Sequence, residues 1–316
     1  MVDAPGIAFQ ILQSVFVVLA APLLMGWANQ CRAWLQNRSA PSILLPYYTL
    51  AKLFQKDVVI ARNASPLFRI TPYVLFGCMW LAAGIVPVLA TDLPFAPAAD
   101  IIALVGVFAL ARVFSALAAM DIGTAFGGLG ARREMLIGFL AEPAMLMILF
   151  TAAFISGSTQ LNTIVETLAQ RDFAIYPSLA FAAVAFLMVL LAENARIPVD
   201  NPATHLELTM IHEALVLEYS GRHLALLEWA ADLKLFAYSC AGLALFFPWG
   251  VAEANDHVAL LLALPVLLGK LAVGGFLLAL IETILAKMRI FRVPEFLATA
   301  FLLGVLALLV HLLLGA

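Results

Sequence analysis

Runs of about twenty apolar residues recur along this chain, and each is long enough to cross the roughly 30 Å of hydrocarbon in a bilayer. Of the 316 residues, 64% are hydrophobic and only 12% are charged, against about a quarter charged in a soluble domain. Inside lipid every backbone N–H and C=O needs a partner within the protein, so only helices and closed barrels span. The in–out alternation of barrel strands is absent here. The chain therefore reads as an all-α polytopic membrane protein, a single integral membrane domain over 1–316. Eight spans are expected, at about 7–30, 70–91, 100–120, 133–157, 174–193, 223–249, 257–286 and 294–315. The first run is long and no basic stretch precedes it, so it reads as a span rather than a cleaved signal peptide.

Basic residues set the expected orientation. Loop 31–69 holds Arg32, Arg38, Lys52, Lys56, Arg62 and Arg69, and loop 121–132 leads into Arg132 and Arg133. Arg196 and Arg222 lie in loop 194–222, and Lys287, Arg289 and Arg292 lie in loop 286–293. The opposite loops carry Arg171 against Asp92, Asp100, Glu166, Asp172, Glu253 and Asp256. Long loops facing the cytoplasm, with both termini outside, follow as the expectation. Residues 46–56 suit a short interfacial helix, with Tyr47, Leu50, Leu53 and Phe54 on one face and Lys52 and Lys56 on another. Cys31, Cys78 and Cys240 have no metal-ligand spacing, so no metal or iron–sulfur cluster is expected on this chain. His212-Glu213 begins like a zinc-protease motif, but Val216 stands where the second His is needed.

Charge concentrates in one stretch, Leu190 to Arg222, which holds Glu193, Asp200, Glu207, Glu213 and Glu218 with His205 and His212. Asn201-Pro202 reads as a helix start and Gly221 as its stop. A helix over about 202–219 places Glu207, Ile211, Ala214 and Glu218 on one stripe, with the two carboxylates about 16 Å apart. It also puts His205 and His212 on one face, as a proton-shuttling pair or an ordinary polar lining. Glu193 and Arg196, three apart, are expected to pair. Arg112, Glu142, Glu228, Asp232, Lys234, Lys270 and Glu282 fall inside the expected spans. Each costs about 2.5–3.5 kcal/mol or more at a helix centre facing lipid, so they must pair or line a wet cavity. Residue counts from the span ends put several of them at similar depth, as static ion pairs or as a proton relay. Pro143 beside Glu142 frees the carbonyl of Phe139 and is expected to distort that helix.

Three blocks then carry a resemblance: Gln36-Asn37-Arg38-Ser39-Ala40-Pro41 with Lys52-Leu53-Phe54-Gln55-Lys56-Asp57, Ala131-Arg132-Arg133-Glu134-Met135 with Ala141-Glu142-Pro143, and Ala192-Glu193 through Glu218-Tyr219-Ser220. Together they resemble the respiratory complex I membrane subunit 1 superfamily. Ala286-Lys287-Met288-Arg289-Ile290-Phe291-Arg292-Val293-Pro294-Glu295 agrees with its hydrogenase branch, the formate hydrogenlyase and hydrogenase-4 type within group 4 nickel–iron hydrogenases. The chain departs from the quinone-reducing version at Ala40, where that version usually has Gly, and at Ala203 and His205, where it has acids. The resemblance implies a non-catalytic docking and proton-coupling subunit of a bacterial or archaeal cytoplasmic (inner) membrane complex. It implies hydrogenase large and small subunits, iron–sulfur subunits and antiporter-like membrane subunits as partners, with the NiFe centre and clusters in those partners and no nucleic acid. By the same resemblance Glu142, Glu193, Glu207 and Glu218 are relay acids, joined by Arg112, Asp232, Lys234 and Lys270. Arg38, Lys52 and Lys56 are docking charges, and Arg196 and Asp200 fix the docking loop. The alternatives are the quinone-site subunit of a true complex I and a stand-alone ion transporter.

Overall fold

A computed structural model of the chain describes residues 4–87, 89–91, 94, 98–170, 177–200, 210–251 and 257–314, with backbone only at 4, 5, 8, 257–261 and 314. Most of the described residues are helical, and none of them forms a strand. Each expected span falls on one long helix: α1 Ala4–Leu35, α3 Pro66–Ile85, α4 Ile101–Asp121, α5 Ala125–Ser156, α7 Pro177–Glu193, α9 Gly221–Phe246, α10 His257–Ile284 and α11 Val293–Leu314. Three short helices lie between them, α2 Leu45–Phe54, α6 Leu161–Gln170 and α8 His212–Val216. Among the described residues, six helices are long and apolar enough to cross a membrane: α1, α3, α4, α5, α10 and α11. The apolar α7 has 17 residues, and α9 has 26 but carries Arg222, Glu228, Asp232 and Lys234.

Local chemistry sets the ends. Asp100 caps α4 by accepting from the amides of Ile102 (2.7 Å) and Ala103 (3.4 Å). Ser65 caps α3 with Pro66 in its first turn, Thr124 caps α5, and Gly157 ends α5 at φ 72°. The expected loop 121–132 is shorter than the sequence suggested, because Ala125–Ser156 is one 32-residue helix. At about 48 Å it is longer than the hydrocarbon is thick. It also stays helical through Pro143. α6 was not expected; its Leu161, Ile164, Val165 and Leu168 are buried.

One core joins most helices, from Val17 on α1 through Phe108, Ile148, Phe186 and Phe236 to Leu297 on α11. Pro22 inside α1 removes the amide that would serve the carbonyl of Val18. Trp229 of α9 fills that gap, donating from its indole nitrogen at 3.0 Å. Tyr47 of α2 donates to the next carbonyl, that of Leu19. α2 thereby lies against α1 and α9, and Lys52 and Lys56 stay exposed.

Candidate functional site

Glu134, Gly138 and Glu142 are four apart on α5 and so share one face. Arg112 of α4 crosses that face. A Cβ at Gly138 would overlap the guanidinium, so the glycine provides the opening through which the arginine reaches its partners. Arg112 pairs with Glu142 through one terminal nitrogen and with Glu193 through the other, and its Nε lies 3.6 Å from Glu134. Glu193 also takes Lys234 Nζ of α9 at 2.9 Å. Arg112 and Glu193 are 5% and 6% exposed. Glu193 is the last residue of α7, where the negative end of the helix dipole opposes a carboxylate. Two cations on this one acid answer both the burial and the dipole.

The result is a continuous line of charged groups, Glu142–Arg112–Glu193–Lys234, across α4, α5, α7 and α9. Two cations meet three carboxylates, counting Glu134. One end is open: the Glu142 side chain is 33% exposed, next to the outward-facing Phe139. One turn past Lys234, Tyr238 is buried and stacked on Phe108 at 4.6 Å. Gly138 and Tyr238 escaped the sequence reading. Their signals were present, as a small residue midway between two acids and an aromatic four residues beyond an intramembrane lysine.

The other expected relay residues lie apart from this line. Lys270 holds the carbonyl ends of α9, at Phe247 (2.6 Å) and Trp249. Asp232 is buried on α9, with Glu228 and Arg196 as its electrostatic neighbours. Glu218 is exposed, while Glu207 and His205 lie outside the described residues.

The loop after α7 corrects three expectations. α7 ends with Arg196 N–H on Leu191 O and Ala195 N–H on Ala192 O, with Ala195 at φ 50°, a left-handed close. That close sends Arg196 away from Glu193. Instead Arg196 pairs with Glu282 of α10 at 3.1 Å, and Arg32 of α1 joins the same carboxylate. Asp200 accepts from Lys287 at 3.0 Å and from the His212 amide at 3.2 Å. A single helix over 202–219 does not form, because Met210 and Ile211 are not helical and α8 has only five residues. So the stripe through Ile211, Ala214 and Glu218 is not one helix face. Gly221 starts α9 rather than stopping a helix. Its φ is +55°, and a Cβ there would come within 2.7 Å of the carbonyl oxygens of Lys56 and Asp57. Beside it, Tyr219 stacks on Phe68 at 3.9 Å and donates to the Phe68 carbonyl, and burial pushes its hydroxyl pKa up. Ser220 clasps Val59 by accepting from its amide (2.8 Å) and donating to its carbonyl (2.9 Å). The charged stretch is thus pinned at both ends, to α10 by Arg196, to Lys287 just past α10 by Asp200, and to segment 56–68 by residues 219–221.

Among known proteins, a family model described as NADH dehydrogenase matches residues 7–313. Formate hydrogenlyase subunit 4 of Escherichia coli (strain K12) is 32% identical over 92% of this chain and 94% of its own length. Hydrogenase-4 component C of the same organism is 34% identical over 96% of each chain. In fold, the chain is similar to a chain of the membrane-bound sulfane sulfur reductase, an archaeal respiratory membrane complex, with a TM-score of 0.80 at 19% identity over 96% of this chain and 98% of that one. The chain is a membrane subunit of a complex I-like assembly and belongs to the NADH dehydrogenase subunit 1-like family.

Proposed function

We propose that this chain is the membrane anchor and proton-coupling subunit of a membrane-bound, energy-converting nickel–iron hydrogenase complex. The buried line from Glu142 to Lys234 carries the reading. It joins four helices, holds more acid than base, and reaches the surface at one end. A set of pairs that only locked helices together would need neither the surplus carboxylate nor the open end. In this reading Glu193 receives protons from the loop side, where Glu207 and Glu218 are the entrance acids. Arg112 and Lys234 hold the relayed charge, and Glu142 hands it toward antiporter-like membrane subunits. Asp232 and Lys270 stand to the side of that line.

The long loops face the cytoplasm in this reading, and exposed Arg38, Lys52 and Lys56 meet the soluble arm. That arm would comprise the hydrogenase large and small subunits and the iron–sulfur subunits. The NiFe centre and clusters would sit there, and this chain would hold neither. The kinship with formate hydrogenlyase subunit 4 and hydrogenase-4 component C, each along nearly the whole chain, favours this over a quinone-site subunit.

Two measurements test the proposal. Gentle purification from the native membrane should bring nickel and iron together with this chain; quinone-sensitive activity without nickel would overturn the hydrogenase assignment. Glu142→Gln should leave the assembled complex intact and lower the protons moved per turnover. Loss of assembly instead would make Glu142 a structural residue and sink the relay.

A further inference from the structure

A cleft of about 570 Å³ separates α10 from α7 and α9, and it is independent of the charge line. Leu179, Leu187 and Leu190 form one wall, Gly274 and Leu278 face them, and Phe246 and Trp249 stand at one end. Ser239 is the one hydroxyl among its lining residues. A space so poor in polar partners does not hold ordered water. α10 is held by its other side. Trp27 of α1 donates to the Ala272 carbonyl at 2.8 Å, and Gly275 lets that indole come close.

The length of the cleft and the chemistry of its two ends point to the occupant. From Leu179 to Leu190 the cleft runs eleven residues along α7, about 16 Å. That is close to one leaflet of hydrocarbon, about 15 Å, half of the bilayer core. A flexible hydrocarbon chain fits. Trp249 is 41% exposed at the end where α6 lies, an amphipathic ring of the kind found at headgroup level. Lys270 adds a positive charge beside the Trp249 carbonyl, suited to a lipid phosphate. The opposite end closes on Leu24 and Ile281, below which Glu282 is paired with Arg32 and Arg196.

We infer that the cleft between α10 and α7–α9 is a binding site for one acyl chain of a membrane phospholipid, whose headgroup end lies beside Trp249 and Lys270. The chain fills the face of α10 that no helix covers and holds α10 against the rest of the bundle.

Gly274 provides the test, because a Cβ there meets nothing within 4 Å and a larger side chain would grow into the cleft. The complex is reconstituted in phosphatidylethanolamine vesicles doped with the same lipid carrying a diazirine midway along one acyl chain. After photolysis, labelled peptides are mapped by mass spectrometry. Label is expected on Ser239, Gly242, Leu271 or Gly275. It should fall about tenfold in Gly274→Phe and in Ala183→Phe, a change worth about 1.4 kcal/mol of binding. Label at Val273, 61% exposed on the other side of α10, should stay constant. Two variants on opposite walls guard against one that misfolds. Cleft label that is unchanged in both variants would overturn the site, as would a cleft left unlabelled while Val273 is labelled.

Discussion

The line through Arg112 and the group around Glu282 both bury charge, yet they are built from different parts. The first joins side chains on four helices, with three carboxylates facing two cations. The second ties a loop to two helix ends, with Arg32, Arg196 and Lys287 facing Glu282 and Asp200. The first opens at Glu142, 33% exposed, whereas Glu282 in the second is sealed at 2%. A fully paired and sealed carboxylate fastens structure. One with an acid to spare and a path outward is suited to exchange protons. The difference lies in stoichiometry and access rather than in burial alone.

Four substitutions put that contrast at risk. Arg112→Ala should have the largest effect, because it strands Glu193 and Glu142; breaking a buried pair costs about 3–5 kcal/mol. The measurement is folded protein recovered in the membrane fraction, and near-normal recovery would show the line is loosely held. Glu282→Gln should cost about 3 kcal/mol, the lower end of that range, since Arg32 keeps some contact with solvent. It should lower thermal stability and leave proton coupling per turnover unchanged; a coupling defect at normal stability would erase the contrast. Gly138→Ala should cost about 1–3 kcal/mol by overpacking against the Arg112 guanidinium. A melting temperature equal to that of the native protein would mean Arg112 has another way across α5. Glu142→Gln should move stability least, by under about 1 kcal/mol, as for other partly exposed pairs. Its mark should be on protons translocated per turnover, and equal coupling in both proteins would make the open end meaningless.

The helix-borne line was largely legible in the sequence. Its members stand on regular helices, where spacing gives the face and residue count gives the depth. Arg112 and Glu142 were matched on depth alone, and Glu193 was marked by the charged stretch it opens. The loop-borne group was not legible, because pairing there depends on how the chain leaves α7. The left-handed close at Ala195 turned Arg196 toward Glu282, 86 residues away, and no spacing rule reaches that far. Likewise Gly221 looked like an ordinary terminator. Its reason is contact with the distant carbonyls of Lys56 and Asp57, which only the fold brings near. α6 went unnoticed because ten residues, half of them buried, are too few to register as a span.

Around Pro22, side chains from distant parts of the molecule are tied to α1. Because Trp229 serves the carbonyl that the proline leaves unserved, and Tyr47 serves its neighbour, the surface helix α2 cannot slide without disturbing α1 and α9. A tug from a protein docked on Lys52 or Lys56 would pass through those two side chains to the helix that bears Lys234. The missing amide of one imino acid thus becomes a mechanical linkage between the proposed docking surface and the bundle interior.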